Sequence, residues 1–285
     1  MIDLHVHTTY SDGTFTPSEV VRYAKKKGLL AIAITDHDCV LGVDEAQGTG
    51  NKFGVEVIAG VEFSVNYANF HIIGLMIDIH NPCLKETIVK QTETVEKATE
   101  RLFERLIACG FKNISYDEFR TQGPPSSKGH YKQYMATAKI STDNKELVKH
   151  IGKDGFTYAC TPLKEWLTVG DAVDVIHNAG GIAIWAHPLV HKLNLIELEQ
   201  TVMTFKAMGL DGVETYYPGL TQEDFRRIVD LADKHQLLIS GGSDFHGEDR
   251  QNDLGTSYQN EGIPYSVLSE IQKAKKRVQG TSDIS

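Results

Sequence analysis

Cysteine pairs, long apolar runs and an excess of basic residues are all missing from this chain. Its 285 residues include four cysteines, none of them in a Cys-x-x-Cys pair. This scarcity gives no basis for a structural zinc knuckle or a disulfide framework, and we expect free thiols. No apolar run approaches the roughly 18 residues that a membrane-spanning helix requires, so insertion into a membrane is not expected.

The N-terminus and the charge balance argue against two further classes. The chain opens on MIDLHVH and shows no basic start, apolar stretch or small-residue cleavage site of a secretion signal, so we expect a cytoplasmic location. A formal net charge of −9 argues against a broad surface for nucleic-acid duplexes, which are held chiefly by Lys and Arg. A small or short anionic substrate is still compatible with an acidic chain, provided that metal ions supply positive charge.

Short apolar runs alternate with helix signals along most of the chain. After MIDLHVH, Thr16 is a predicted N-cap, Pro17 the first helical residue and Glu19 the partner in a capping box. Six more apolar runs are predicted strands: 29–38, 55–65, 69–77, GIAIWAHP, GVETYY and LLISGGSDFHG. Repeated βα units predict parallel strands with right-handed crossovers, and seven such strands suit a closed or nearly closed α/β barrel.

The middle of the chain interrupts this alternation. Residues 86–108 have the charge and apolar period of a long helix, and 111–167 lack strand periodicity. We therefore predict an inserted, mostly helical subdomain. The expected division is a first barrel segment at 1–85, the insertion at 86–167, a second barrel segment at 168–279 and a polar tail at 280–285.

Ionisable side chains recur where the predicted strands end. His5 and His7 are two residues apart on a strand, so their imidazoles share one face and can bind one metal ion. Two core or surface histidines would give the same pattern. Asp12 follows in the segment YSDG, which also fits a plain turn. Taken alone, each of these positions leaves both interpretations open.

The second strand ends in four polar residues, Thr35, Asp36, His37 and Asp38. Because an unpaired charge is costly to bury, this abrupt change from apolar to ionisable residues favours a functional site over packing. His37 is the predicted ligand. Asp36 can instead orient a ligating histidine, and Asp38 can serve as the N-cap of the next helix.

The same placement is repeated on later strands. Glu62 lies in the apolar run AGVEFSV, where a carboxylate can bridge two cations or be a paired core residue. His71, His187 and the pair Asp244 and His246 are predicted at the ends of the fourth, fifth and seventh strands. The repetition favours a multinuclear site, and mixed imidazole and carboxylate ligands favour zinc, manganese or iron. Three divalent ions would exceed the charge of three carboxylates by about +3, which suits a phosphate ligand.

Five segments carry a resemblance to a known family: HVHTTYSDG, TDHD, GVEFS, AHP and SDFHG. In this order they resemble the motifs of the polymerase and histidinol phosphatase (PHP) metallophosphoesterases, over residues 1–80 and 168–260. The insertion between them is similar to that of the branch of 3′,5′-nucleoside bisphosphate phosphatases and 5′→3′ exonucleases of short oligonucleotides. The resemblance implies a distorted (β/α)7 barrel that carries a trinuclear metal site.

The resemblance also implies how nine ligands are shared among three divalent ions. Carried over to this sequence, the three ligand sets are His5, His7, Glu62 and Asp244; Asp12, His37 and His246; and Glu62, His71 and His187. In this scheme the Glu62 carboxylate bridges two of the ions. All nine positions are filled in this chain.

The insertion departs from the pattern of that branch. An Arg-x-His segment is usual there and is thought to grip the substrate, whereas this chain has Lys128, Gly129 and His130. Lys128, His130 and Lys132 are our candidates for binding a second phosphate, and a solvated basic loop is the alternative. The departure leaves the substrate less well defined than the metal site.

The chemistry expected from these features is metal-assisted hydrolysis of a phosphate ester. A hydroxide that bridges two metal ions attacks phosphorus in line, and Asp38 and His191 are candidates by position for protonating the leaving oxygen. The favoured substrate is a nucleoside 3′,5′-bisphosphate that loses its 3′-phosphate, with trimming of short 5′-phosphorylated oligonucleotides as a related activity. The alternatives are histidinol phosphate or another small phosphomonoester, an amidohydrolase-like barrel, and an inactive metal- or nucleotide-binding module.

Overall fold

The computed structural model of this chain describes residues 1–67, 70–122, 134, 166–247 and 252–282. Seven strands occur in the positions that the apolar runs predict. They are β1 (Ile2–Val6), β2 (Ala31–Ile34), β3 (Glu56–Ser64), β4 (His71–Leu75), β5 (Ile182–Trp185), β6 (Gly212–Tyr216) and β7 (Leu238–Gly241). Within the described ranges, no helix is both long and apolar enough to cross a membrane.

Helices follow most of the strands. Over the described residues they are α1 (Pro17–Lys26), α2 (Val43–Phe53), α3 (Pro82–Ala108), α4 (Tyr116–Gln122), α5 (Val169–Asn178), α6 (Leu195–Ala207), α7 (Gln222–Lys234) and α8 (Tyr265–Ser282). The capping box predicted for α1 is present, because Thr16 accepts from the backbone N–H of Glu19 and the Glu19 side chain accepts from that of Thr16. Helix α8 extends to Ser282, beyond the start expected for the polar tail.

The seven strands form one curled sheet in sequence order, β1 to β7. Strands β1, β2 and β3 are parallel, as are β5, β6 and β7. Strand β4 is antiparallel to both of its neighbours. The expectation of parallel strands throughout was therefore wrong at β4. Only residues 65–70 separate β3 from β4, and a parallel pair needs a connection of about a dozen residues or more.

The reversed direction of β4 corrects one site position as well. His71 was expected at the end of the fourth strand, but it is the first residue of β4. Because β4 is antiparallel, its first residue lies at the edge of the sheet where the neighbouring parallel strands end. We call this edge the site rim. His71 therefore lies at the rim because β4 begins there.

The sheet curls until β7 meets β1. The backbone N–H of His7 donates to the carbonyl of Phe245 at 2.9 Å, and Val6 and Phe245 form a parallel bridge. One large apolar cluster joins the sheet to the helices around it, with Trp185 and Phe63 among its largest buried side chains. A second cluster joins the sheet to α8. Packing on both faces holds the strands rigidly below the rim.

Helix α3 contributes to two separate cores. Leu84 near its start belongs to the large barrel cluster, whereas Leu102 and Phe103 near its end pack with Phe119 and Tyr134 in a third cluster. The helix begins at Pro82 and therefore starts within the segment assigned to the barrel. The domain divisions at 85/86, 167/168 and 279/280 stay predictions.

Candidate metal centre

The structure brings the nine sequence-predicted ligands together at the site rim. They come from six strand termini and one loop, and their donor atoms fall into overlapping groups in which all atoms lie within 4.8 Å of one another. The groups are His7, Asp12, His37 and His246; His5, His7 and Asp244; His5, Glu62 and His187; and His37, Glu62 and His71. Residues up to 241 positions apart in sequence thus share one small volume.

Four donor atoms form a first group. The Nε2 atoms of His5 and His7 are 3.1 Å apart, and each lies 3.2 Å from Oε2 of Glu62. Asp244 Oδ1 lies 3.4 Å from the first of these nitrogens and 3.2 Å from the second. Donors around one cation with bonds of about 2.1 Å stand roughly this far apart. The two imidazoles together with either carboxylate therefore fit a single ion.

Asp12 is the centre of a second group. Its Oδ1 atom lies 3.0 Å from Nε2 of His246, 3.6 Å from Nδ1 of His7 and 3.9 Å from Nε2 of His37. His7 thus faces the first group with one ring nitrogen and the second group with the other. The wider distances leave this group looser than the first.

Glu62 connects the first group to a third. Its Oε1 atom lies 2.9 Å from Nδ1 of His71 and 3.0 Å from Nε2 of His187, while its Oε2 atom belongs to the first group. The two imidazole nitrogens are 3.3 Å apart. A carboxylate that offers one oxygen to each of two clusters is placed to bridge two cations.

The donor set fits divalent metal ions. Among the described residues, Oε2 of Glu62 and Nδ1 of His37 are buried without a hydrogen-bond partner, although they lie 3.2 Å apart. A buried polar atom without a partner costs free energy, and a cation would satisfy both lone pairs. Imidazole nitrogen with carboxylate oxygen is the donor chemistry of zinc, manganese and iron sites. The assignment of individual ligands to individual ions stays a prediction.

Electrostatics keep the carboxylates of the centre ionised. Burial acts to raise the pKa of the Glu62 carboxyl, but the neighbouring imidazoles, led by His37 and His5, outweigh burial and hold that pKa well below its usual range. Asp244 shows the same balance, with burial opposed chiefly by His5 and His7, and its pKa is also well below its usual range. Both side chains are therefore anionic at neutral pH and available as ligands.

Glu214 supports the centre and was missed by the sequence analysis. This buried residue of β6 accepts from Nδ1 of His5 at 3.1 Å through Oε1 and from the backbone N–H of His187 at 2.7 Å through Oε2. With a proton on Nδ1, the lone pair of His5 is on Nε2, which faces the centre. The available signal was a glutamate in the apolar run GVETY, the same signal that singled out Glu62 in GVEFS.

Asp36 fixes the loop after β1. Its Oδ1 accepts from the backbone N–H of Thr8 at 2.7 Å and from the Ser11 hydroxyl at 2.6 Å, and its Oδ2 accepts from the Thr8 hydroxyl at 2.7 Å. Ser11 Oγ in turn lies 3.4 Å from Nδ1 of His7. Asp36 therefore acts on a candidate ligand through Ser11, as the orienting interpretation of Asp36 requires.

Three candidate-site residues have left-handed backbone conformations that are uncommon outside glycine. Asp38, His187 and Asp244 have φ of 47°, 31° and 54°. Such conformations persist where surrounding contacts fix them, and they concentrate at functional sites. One such contact is the Tyr217 hydroxyl, which donates to Oδ2 of Asp244 at 3.0 Å.

The two predicted proton donors lie beside the centre. Asp38 is buried, and its Oδ1 accepts from the backbone N–H of Ser64 at 3.1 Å. Burial raises the pKa of Asp38 to about 6. The His191 ring lies 5.8 Å from that of His187 and 4.0 Å from that of Phe70, and burial lowers the pKa of His191 to about 3. Their part in proton transfer stays a prediction.

The predicted phosphate-binding residues cannot be placed. Lys128, His130 and Lys132 lie outside the described residues. Of the four cysteines, Cys39, Cys83 and Cys109 are free thiols, as expected, and Cys160 also lies outside the described ranges.

A family model described as the PHP domain matches residues 3–162, more than half of the chain. The chain belongs to the PHP domain family. The matched span includes β1 to β4 and the motifs HVHTTYSDG, TDHD and GVEFS, on which the resemblance was based. The family relationship inferred from those motifs is therefore confirmed.

Comparison with individual PHP relatives and structures extends over most of the chain. The 5′-3′ exoribonuclease of Haemophilus influenzae is 34% identical over 250 residues, covering 86% of this chain and 89% of the relative. The 3′,5′-nucleoside bisphosphate phosphatase of Chromobacterium violaceum is 31% identical over 252 residues, covering 86% of this chain and 87% of the relative. A solved structure from Bifidobacterium adolescentis, assigned as a metal-dependent phosphoesterase, aligns with a TM-score of 0.80 at 26% identity, covering 95% of this chain and 94% of that chain. The α/β PHP barrel is confirmed.

Proposed function

We infer that this PHP protein is a metal-dependent phosphoesterase that hydrolyses phosphate esters of nucleotides. The observation that carries this conclusion is the set of overlapping donor groups that share the buried Glu62 carboxylate at one rim. Relatives named as an exoribonuclease and a nucleoside bisphosphate phosphatase support the same class of substrate. Surplus positive charge from bound cations is what an acidic chain of net charge −9 needs to hold a phosphate.

The finer assignment has three parts. We propose three divalent ions, of manganese, zinc or iron, held by the nine ligands in the sets that the family resemblance implies. The proposed reaction removes the 3′-phosphate of nucleoside 3′,5′-bisphosphates, with trimming of short 5′-phosphorylated oligonucleotides as a second activity. Lys128, His130 and Lys132 remain our candidates for the second phosphate.

The residues of the chain have distinct tasks in this proposal. When bound, the metal ions supply Lewis acidity toward the phosphoryl oxygens and lower the pKa of a coordinated water. Glu62 holds two donor groups at a fixed separation, and Glu214 holds His5 with Nε2 toward the centre. Asp38 and His191 stand next to His37 and His187. Asp38, with its raised pKa, is our candidate for protonating a leaving oxygen, whereas the low pKa of His191 leaves that imidazole without a proton to donate near pH 7.

The function is tested by measuring phosphate release. The substrates are adenosine 3′,5′-bisphosphate, histidinol phosphate and a 5′-phosphorylated trinucleotide, each assayed with manganese and with a chelator. We expect the bisphosphate to be preferred and the chelator to abolish turnover. A preference for histidinol phosphate would overturn the substrate assignment, and full activity without metal would overturn the mechanism. Nucleotide binding without phosphate release would identify an inactive binding module.

A matched pair of histidine variants connects the activity to the centre. His37→Ala removes the imidazole nitrogens that lie beside the carboxylates of Asp12 and Glu62. We expect the rate of phosphate release to fall by at least about a hundredfold. His80→Ala removes an exposed histidine from the turn before α3 and should leave the rate unchanged. Equal rates for the two variants would place the chemistry away from this centre.

A further inference from the structure

An apolar groove opens directly beside the metal centre. It lies between the segment His37–Leu41, which follows β2, and the first half of α3, from Lys85 to Glu96. Its volume is about 750 Å³. Two of its apolar side chains are unusually exposed, since Leu41 is 72% and Val89 is 56% accessible. Exposed apolar residues that line a concave surface are typical of a ligand site.

The groove and the centre share His37, and hydrogen bonds from α3 fix their relative position. His37 contributes ring nitrogens to the centre and also lines the groove. Gln91 of α3 donates from Nε2 to the carbonyl of Ser64 at 2.9 Å and lies 3.4 Å from Oδ1 of Asp38. These contacts tie α3 to the rim and fix the position of the groove relative to the centre.

Charge decides which part of a substrate the groove accepts. Glu93 and Glu96 line its α3 side, and Lys85 is the one Lys or Arg among its described lining residues. A second phosphate is disfavoured beside two carboxylates, whereas an uncharged, mostly apolar ring is not. Tyr10 provides an aromatic side chain on the opposite side. A Cβ on Gly42 would lie 2.9 Å from the Tyr10 Cδ2 atom. The glycine therefore leaves room for the Tyr10 ring in this position.

We propose that this groove binds the nucleobase of the substrate while its scissile phosphate lies at the metal centre. The proposal rests on the phosphoesterase function proposed above and adds the element that distinguishes a nucleotide from a simple phosphomonoester. Recognition comes from apolar contact and from stacking on Tyr10, both of which tolerate any base. The groove therefore selects for the presence of a base more than for its identity.

The test compares substrates with and without a base. The quantity measured is the ratio of kcat/KM for adenosine 3′,5′-bisphosphate to that for the matching baseless sugar bisphosphate. The double variant Leu41→Gln/Val89→Gln removes apolar contact without changing the net charge, and we expect this ratio to fall about tenfold. Ile107→Gln, on the same helix and 52% exposed in the wild type, is the control and should keep the wild-type ratio.

Binding of free adenosine separates this proposal from the proposed function. We expect saturation-transfer NMR signals of the base protons with the wild-type protein and with Ile107→Gln, and their loss in the double variant. Equal kcat/KM for the two substrates without an adenosine signal would overturn the base site and leave the phosphoesterase intact. An adenosine signal that the double variant abolishes, without phosphate release from any substrate, would support the base site and overturn the phosphoesterase.

Discussion

Two buried glutamates with opposite tasks define the candidate centre at the residue scale. Glu62 directs both oxygens into the centre, each toward a different group of imidazoles. Glu214 directs both oxygens away from it, one to Nδ1 of His5 and one to the backbone N–H of His187. The first is placed to bind metal and the second to position a ligand. Only their partners distinguish them, since both sit in apolar strand sequences.

Replacing Glu214 tests this positioning role. In Glu214→Gln the side chain keeps its size but loses its charge, and its NH₂ group can only donate, so one of the two present contacts is lost. We expect manganese affinity to weaken about 10- to 100-fold, measured by titration calorimetry on the apoprotein. Glu104→Gln, an exposed glutamate of α3, is the control. Unchanged affinity in Glu214→Gln would show that His5 is held without Glu214.

At the scale of elements, the reversed strand β4 explains how the third group of donors forms. The short link from β3 turns the chain back, so Ser64 pairs with His71 across an antiparallel ladder. The ladder places the start of β4 beside the end of β3, which carries Glu62 two residues earlier. A parallel β4 would have required a crossover and would have put His71 at the opposite edge. The hairpin is therefore part of the candidate metal centre.

The contact of β7 with β1 leads to a prediction about two glycines. A Cβ on Gly242, which follows β7, would lie 2.2 Å from Cβ and 2.5 Å from the backbone nitrogen of His5. We expect Gly242→Ala to lower the free energy of unfolding by about 1–3 kcal/mol, measured by urea denaturation, because strand backbone cannot easily move aside. A Cβ on Gly48 in α2 meets nothing within 4 Å. Gly48→Ala should be neutral or stabilising by up to about 1 kcal/mol.

Two results would contradict the prediction for these glycine variants. If Gly242→Ala unfolds at the wild-type urea concentration, the strands at the seam have room to separate, and the close approach of β7 to His5 is not required. Loss of stability in Gly48→Ala would instead point to a general intolerance of the chain toward alanine.

For the whole molecule, we expect metal binding at the candidate centre to stabilise the fold. The donors come from both ends of the chain and meet only when the barrel is closed. Ions that bind the folded state alone stabilise it by about 2.7 kcal/mol at a concentration 100 times Kd. For a chain of this size we therefore expect manganese to raise Tm by about 5–10 °C over the chelated protein, measured by scanning calorimetry.

Two variants test whether the gain in Tm comes from metal binding at the centre. Asp12→Asn weakens the Asp12 donor group, so the gain in Tm should shrink at the same manganese concentration. Asp117→Asn, at an exposed position of α4, a helix that packs in the third apolar cluster, should retain the full gain. A Tm that does not respond to manganese in the wild type would contradict metal binding at the centre.

The features predicted correctly from the sequence are those that a residue's local context determines. The capping box of α1 and the seven strands follow from local pattern. The direction of β4 was predicted wrongly, because the repeating pattern of the other strands was extended to a strand whose link to β3 is a hairpin. Glu214 was missed because an apolar strand containing one glutamate does not reveal which residue faces that glutamate.

The types of donor and their attachment to strand termini can be read from the sequence, because alternation in a strand and polar residues at its end are local properties. Which donors meet depends on how distant segments pack together. The contact of Glu214 with His5 spans 209 positions, and the two oxygens of Glu62 meet imidazoles from different strands. Curling of the sheet and reversal of β4 create these distances, and both are properties of packing between distant segments. The groove beside His37 likewise exists only because α3 packs across the rim.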